Sequence, residues 1–560
     1  MSLSGPDLII SNGVVLTFDD TSSEHEAVAI SGDRIVAVGS SGEMLALRAK
    51  GTEVIDLDGR ALIPGLTDPH VHLADDGTNM VNAVDVRDFF LDADTIPKLL
   101  ALLTAGAAAY PAGKWVICYG SPLQDHRMAE RRLPTRHELD SVTPNHPCYI
   151  TFGAHITIAN SAALHLAGVT RDTVAMPGGH IEHDEAGELT GKLMERAQQY
   201  VRVVLTPDVP VGFNPNADYR HVKAGITFGG RRALERGVTT VHDIVKTTVA
   251  VRAYHELAHE RVLPVRTSLL IRVIESAIQP ETLLNLGMGT PFGNEWLRMG
   301  GVKMSVDGGI TGKASAFYEP YLGRDDCDCG MIRIPTEELD GTVDAYHRAG
   351  HRICVHAIGD RAMDMALDAF EKATRSYPRA DHRHRIEHFG NWMVIPERLE
   401  RARKMHVLPV PNLSFMKYIY EPTLSFVGAE RLRGAFPMRS LLASGMPITT
   451  GSDGPAYWPA DPLRDVQTMV TRLTNWGLVV EKDEAITVEA AMRVVTRNAA
   501  FNGFEENIKG SIESGKLADL AILERNPLRV PAEEIGSIRV DGTIAGGRVV
   551  FQRQGAEVIA

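Results

Sequence analysis

LIPGLTDPHVH, residues 62–72, is where the chain changes character. An apolar run is interrupted by Pro64 and Gly65, resumes, and ends on His70 and His72. If this is a strand, successive side chains alternate and both imidazoles point to one face. The spacing alone is not diagnostic. A chain with 21 histidines among 560 residues holds about one such pair by chance, and His382 and His384 form another. The test is whether other apolar runs of the same build also end on polar side chains.

Outward toward the N-terminus the texture is that of β-hairpins. DLIISNGVVLTF turns at Asn12-Gly13 and AVAISGDRIVAVG at Gly32-Asp33, both strong tight-turn signals. The C-terminus returns to it with GKLADLAIL and SIRVDGTIAGGRVVF, whose turns are read at Asp541-Gly542 and Gly546-Gly547. Residues 1–61 and 508–560 are therefore expected to build one small β-sandwich domain from both termini. Between them strands alternate with helices, the mark of a parallel α/β sheet. The candidate strands are 62–72, 237–243, 264–272, 300–308, 352–360, 384–390, 407–413 and 447–454. Helices are predicted at 360–377 and 396–406, and a last one, VEAAMRVVTRNAAFNG, begins after Thr487 and stops at Gly503. Eight strand–helix units predict a (β/α)8 barrel over 62–507. The gap after the first strand is too long for one crossover, so about 74–236 is read as an insertion with strands of its own in KWVICYG and HPCYITFG.

In such a barrel the active site lies at the C-terminal ends of the strands. There the chain places His70 and His72 (strand 1), Lys303 and Asp307 (strand 4), His356 (strand 5), His388 (strand 6) and Asp453 (strand 8). His382 and His384 precede strand 6 in a charged stretch and are read as solvated. Imidazole and carboxylate suit zinc and similar divalent ions. The lysine is out of place beside a cation, unless burial lowers its pKa and it reacts with CO2 to form an anionic carbamate. Asp307 is either a partner to a ligand or a turn residue. Asp360 is read as a helix cap. Glu387, next to His388 on a strand, is expected to face away from the mouth. Gly308 and Gly309 either admit a substrate or turn the chain. Phe415, Met416, Tyr418 and Tyr420 after strand 7, with Tyr457 and Trp458 after strand 8, either line an apolar pocket or pack the loops.

Composition narrows the function classes. The chain is 44% hydrophobic and 23% charged, with a net charge of −13. That balance, with no basic cluster, argues against nucleic acid and anionic membranes. No apolar run nears the roughly 20 residues that span a bilayer, and the N-terminus lacks a secretory pattern. Five cysteines are too few and too irregular for a disulfide framework, so a reducing, cytoplasmic setting is expected. Cys327 and Cys329 have no neighbouring His or Cys to complete a metal site.

The motifs PGLTDPHVHL, GGVKMSVDGGITGKASAFYEPY, VHAIGDRAMD, HRIEHF, TGSDGP and SGKLADLAIL resemble the amidohydrolase superfamily, and within it the YtcJ-like (amidohydrolase 3) group that includes N-substituted formamide deformylases. HITIANSAALHLAG and GGHIEHDEAGELTGKLMERA in the insertion are similar to the same group. The resemblance implies two divalent metals, zinc for preference. His70, His72 and Asp453 would hold the first, His356 and His388 the second, with carboxylated Lys303 as the bridge. It implies hydrolysis of an amide-type C–N bond in a small molecule (an N-substituted formamide, an N-acyl compound or a cyclic amide) by metal-bound hydroxide. Asp453 would serve as base and then as acid. It also suggests His155 and Asn160 as a lid over the mouth. The chain departs from the pattern at Gly153-Ala154-His155, where the group has DGH, and at Lys313, often Arg; both bear on substrate preference.

Two other functions compete. A one-metal deaminase of this barrel type carries a Glu three residues after the strand 5 histidine, whereas His356 is followed by Ala357, Ile358 and Gly359. A non-catalytic binding module predicts a missing ligand, and none is missing. Homo-oligomerisation stays open.

Overall fold

The computed structural model describes residues 5–555 except 92, 210, 212, 213, 215, 275, 277, 324–328, 455–457, 459 and 460. Its central sheet contains parallel strands β1 (Leu66–Val71), β2 (Val238–Val245), β3 (Arg266–Arg272), β4 (Leu297–Ser305), β5 (Ile353–His356), β6 (Arg385–Glu387) and β7 (Leu408–Val410), hydrogen-bonded in that order. The short strand Phe292–Gly293 pairs antiparallel with β4.

The eighth barrel position is taken by the predicted 447–454 segment, though not as a regular strand. It touches β1 through a parallel bridge between Val71 and Gly454. Asp453 N donates to His70 O (2.9 Å), His72 N to Gly454 O (2.9 Å) and Gly451 N to Pro411 O (3.3 Å), which nearly closes the ring between β7 and β1. The left-handed φ of Asp453 (+53°) breaks the ladder there. Residue 451 has to be glycine, because a Cβ would lie 2.4 Å from His70 Cβ.

Helices wrap the sheet as their patterns require. Asp360–Ser376 buries Ala362, Met363, Ala366, Leu367, Phe370 and Ala373, one stripe at i, i+3, i+4 spacing, against the outside of the barrel. Asp360 sits one residue inside this helix, with Gly359 at the cap, and accepts from Tyr318 N (3.0 Å) and Arg361 N (2.8 Å). Thr487 caps its helix as predicted, but the helix breaks at Thr496 and resumes over Arg497–Asn502 before Gly503.

The first predicted strand is two. Ala61–Pro64 pairs with Leu520–Leu523 and Val14–Leu16 in a six-stranded sheet, whereas β1 belongs to the barrel. Gly65 marks the crossing, since a Cβ there would meet Thr239 Oγ1 at 2.2 Å. A four-stranded sheet of Leu8–Ser11, Ala27–Ser31, Arg34–Gly39 and Glu53–Asp56 packs on the six-stranded one. Leu8, Ile10, Val28 and Ile30 meet Leu62, Leu520, Ile522 and Ile544 in its core. Asn12-Gly13 is thus not a hairpin turn: it passes the chain from one sheet to the other. Asp541-Gly542 lies inside the strand Val540–Ala545, held by pairing with Leu520–Leu523; Gly546-Gly547 does turn, at φ +55° and +73°.

After β1 the chain enters a separate six-stranded sheet. In order it comprises Gly179–His183, Leu189–Glu195, Ile156–Ala159, Cys148–Phe152, Val116–Gly120 and Val84–Asp85. No helix among the described residues is long and apolar enough to cross a membrane.

Candidate metal centre

A cavity of about 120 Å³ opens at the C-terminal ends of the barrel strands. His70, His72, Lys303, His356, His388 and Asp453 all line it. His70 Nε2 and His72 Nε2 lie 3.1 and 3.2 Å from the same atom, Asp453 Oδ1. Ligand atoms of His70, His388 and Asp453 fall within 4.8 Å of one another, and the His356 and His388 ring centroids are 4.5 Å apart.

Backbone geometry explains how neighbouring residues both reach this point. In β6, Arg385 and Glu387 face the barrel interior, so simple alternation would send His388 outward. Instead the strand ends and His388 takes φ +71°, which turns its ring back inward. The expectation that Glu387 faces away is therefore wrong. Its carboxylate is fully buried and accepts from His70 Nδ1 at 2.6 Å. Arg385 clamps both oxygens (2.5 and 2.8 Å) and also donates to Pro69 O at 2.7 Å. On the other side of β1, Asp68 accepts from His70 N (3.3 Å) and Ser452 N (3.0 Å), tying the two ligand-bearing segments together. Asp243 accepts from Leu73 N (2.6 Å) and Ala74 N (3.2 Å), holding the helix that starts after His72. His388 Nδ1 is engaged by Asn412 Oδ1 at 2.8 Å.

The electrostatics suit a divalent cation. Burial pushes His72 down to about 4 and His388 to about 3, and holds His356 well below its ordinary value, with neighbouring His388 and Lys303 adding to the effect on His356. These rings are neutral, which is the ligating form. His356 Nε2 is buried with no hydrogen-bond partner. Its nearest carboxylate oxygen, Asp307 Oδ1, is 3.5 Å away, and Asp307 is already occupied by the N–H groups of Ala316, Ile358 and Gly359. A buried imidazole nitrogen without a partner costs free energy unless something binds it; the donor set therefore fits a metal. Burial raises the Asp453 carboxyl, but His70, His72 and His388 outweigh that and keep it ionised, well below the ordinary range. Burial lowers Lys303 to about 8 against the pull of Glu387 and Asp453, so a minority of the amine is neutral at pH 7.

The remaining sequence candidates divide. His155 reaches the cavity from the insertion, its ring centroid 6.4 Å from that of His356. Asn160 does not. It is buried as the cap of helix Ser161–Leu166, bonded to Ala163 N, Cys148 N and His146 O. Phe415 and Trp458 line the cavity, packed edge to face at 5.3 Å. Met416, Tyr418 and Tyr420 belong to the main core instead. Tyr457 and Cys327 lie outside the described residues. Cys329 is 3.9 Å from Tyr318 O and approaches no ligand set among them.

His382 and His384 are buried, not solvated. They stack at 4.2 Å, and His384 Nε2 meets His347 Nδ1 at 2.8 Å. The charged neighbours that suggested exposure are themselves engaged, Arg383 with Asp381 and Glu506. Sequence reading also missed Lys246, Arg272, Glu195 and Arg333 at the cavity; none stands in a spacing that marks it.

Comparison with known proteins agrees with this geometry. Residues 53–551 match the amidohydrolase family, and the chain belongs to it. It is 29% identical to N-substituted formamide deformylase from Arthrobacter pascens, over 98% of this chain and 99% of that protein. It is 26% identical to the YtcJ amidohydrolase of Bacillus subtilis (strain 168), over 97% and 98%. A solved metal-dependent hydrolase from Pyrococcus horikoshii OT3 superposes with TM-score 0.72 at 25% identity, covering 94% of this chain and 99% of that one.

Proposed function

We propose that this amidohydrolase-family protein cleaves an amide-type C–N bond of a small molecule. The observation that carries the reading is the convergence of four imidazoles, one lysine and one ionised carboxylate on a single cavity wall. His70, His72 and Asp453 are assigned to one divalent ion, zinc by the chemistry of the donors, and His356 and His388 to a second. Lys303 would contribute a ligand oxygen as a carbamate, its neutral amine forming an N–C bond to CO2 and releasing one proton. Bound metal would supply water of lowered pKa and a Lewis acid for the substrate carbonyl.

The chain's own groups do the rest. Asp453 accepts a proton from the attacking water and returns it to the departing nitrogen, one carboxylate serving as base and then acid. Phe415 and Trp458 offer an apolar wall to the group beside the scissile bond, and the Arthrobacter relative's activity on N-substituted formamides makes that class the first to try.

Metal analysis of the purified protein, with a hydrolysis screen of N-formyl, N-acyl and cyclic amides after zinc reconstitution, tests this reading. Two ions per chain and an amine product are expected. One ion per chain with release of ammonia from an amino-substituted ring would assign a deaminase, and no bound metal a binding module.

A further inference from the structure

We infer that His155 is a catalytic residue that the insertion places over the barrel mouth, where its Nε2 donates to the carbonyl oxygen of the scissile amide, with Glu195 and Arg333 as its positioning residues. The inference rests on the amide reading above and deepens it.

The arrangement begins with Glu195, the last residue of strand Leu189–Glu195. Its carboxylate is buried, yet it is shared by three donors from two parts of the fold. His155 Nδ1 lies 2.9 Å from Oε1 and 3.2 Å from Oε2. Gly309 N donates to Oε1 at 3.0 Å, and Arg333 Nη1 to Oε2 at 3.0 Å. The bonds from Gly309 and Arg333 pin the insertion to the loop after β4. Burial opposes ionisation of Glu195, but His155, Arg333 and Gly309 N outweigh it and hold the carboxyl at about 2. The backbone at Glu195 takes φ +50°, ψ −125°, a conformation L residues rarely adopt. Strain of this kind persists where surrounding bonds over-determine it, and it gathers at functional sites.

With Nδ1 held by the carboxylate, Nε2 is left at the cavity side of the ring. Residue 309 makes room for it: a Cβ there would lie 2.3 Å from His155 Nε2. Gly309 itself has an ordinary φ of −80°, so this glycine is needed for space and not for backbone freedom. A Cβ on Gly308 would similarly come within 2.9 Å of the Glu195 carboxylate. The two glycines thus seat the His155–Glu195 pair against the barrel. The ionised carboxylate on Nδ1 thus fixes the ring's orientation, and Nε2 is the atom presented to the substrate. During the reaction the water oxygen adds to the carbonyl carbon and the C=O π electrons move onto oxygen. His155 stabilises that charge; collapse restores C=O, breaks C–N, and returns its hydrogen bond unchanged. Preorganised donors aimed at a developing oxyanion contribute roughly 10²–10³ in rate each.

Two measurements on zinc-reconstituted protein test the inference. Methylphosphonate, whose tetrahedral anionic oxygens imitate the addition intermediate, is titrated calorimetrically into wild type, H155Q, E195Q, the double variant, G309A and D453N. Binding is expected to weaken about tenfold or more in H155Q, E195Q and G309A, with metal content unchanged, and the double variant should be no worse than either single change. Undiminished binding to H155Q, additive losses in the double variant, or no binding to wild type would each overturn it. On any amide the screen finds, H155Q should lower kcat about 10²-fold with KM little changed. An empty screen with His155-dependent methylphosphonate binding would count against the amide reading and leave the oxyanion contact standing; turnover of wild type and H155Q at equal kcat would do the reverse.

Discussion

Replacing Glu387 by Gln keeps shape and removes one charge, which makes it the sharpest probe of how the centre is built. Glu387 joins His70 Nδ1 (2.6 Å) to the bidentate Arg385, and none of the three is exposed to solvent. The amide offers one acceptor and one donor in place of two acceptors. If its oxygen turns to Arg385, its N–H2 confronts the N–H of His70; if it turns to His70, it confronts the guanidinium. Either way Arg385 is left as a buried cation without a counter-charge, which costs about 3–5 kcal/mol of stability. The carboxylate also fixes the tautomer that leaves His70 Nε2 free to ligate, and loss of such a partner weakens metal binding about 10–100-fold, or about 1.4–2.7 kcal/mol. Urea unfolding of the apo protein and competition of the refolded protein with a chromophoric chelator for zinc read the two effects separately. Metal affinity within twofold of wild type, with stability lowered by less than about 1 kcal/mol, would refute the reasoning.

Asp453→Asn should retain metal through the imidazoles yet lose about 10³-fold or more in turnover, because a proton acceptor and its later donation vanish together; near-normal kcat would remove Asp453 from its role. Asn160→Ala should cost about 2 kcal/mol of stability, through loss of a helix cap and an unpaired Cys148 N, and leave KM unchanged; a large KM effect would revive a lid role. Burial, helped by Arg379 and His347, holds His351 and His382 down to about 4, and lowers His384 and His347 as well. Between roughly pH 6.5 and 4 the unfolded chain binds protons that the folded chain refuses, so stability falls on acidification by up to about 1.4 kcal/mol per pH unit for each histidine. Both ring nitrogens of His351 are buried without a partner, so His351→Phe should flatten the urea midpoint between pH 6.5 and 5; an unchanged slope would contradict this.

The barrel and its rim residues were legible because they depend on local rules. Short apolar runs alternating with amphipathic helices give the parallel sheet, and the fold fixes which end of each run faces the site. His70, His72, Lys303, His356, His388 and Asp453 sit at those ends, and all six line the cavity. The eighth run was placed correctly but is not a regular strand, because the left-handed φ of Asp453 is incompatible with a ladder.

What failed were the inferences about which partner a side chain meets when that partner is distant in sequence. Alternation sent Glu387 outward; the turn at His388 and the pull of Arg385 and His70 keep it inside. Charged neighbours made His382 and His384 look solvated, but Arg383 spends its charge on Asp381 and Glu506 while the rings pack on His347 and Phe370. Asn12-Gly13 has the composition of a hairpin turn and serves to change sheets. His155 and Asn160, five residues apart, part company: one meets Glu195 at the cavity, the other caps its own helix. Local sequence therefore determined which side chains end the barrel strands, since period and turn chemistry act over a few residues. Only the tertiary structure decided which charge each of those side chains meets, since electrostatic partners are chosen by distance in space, and the chain between them carries no record of it.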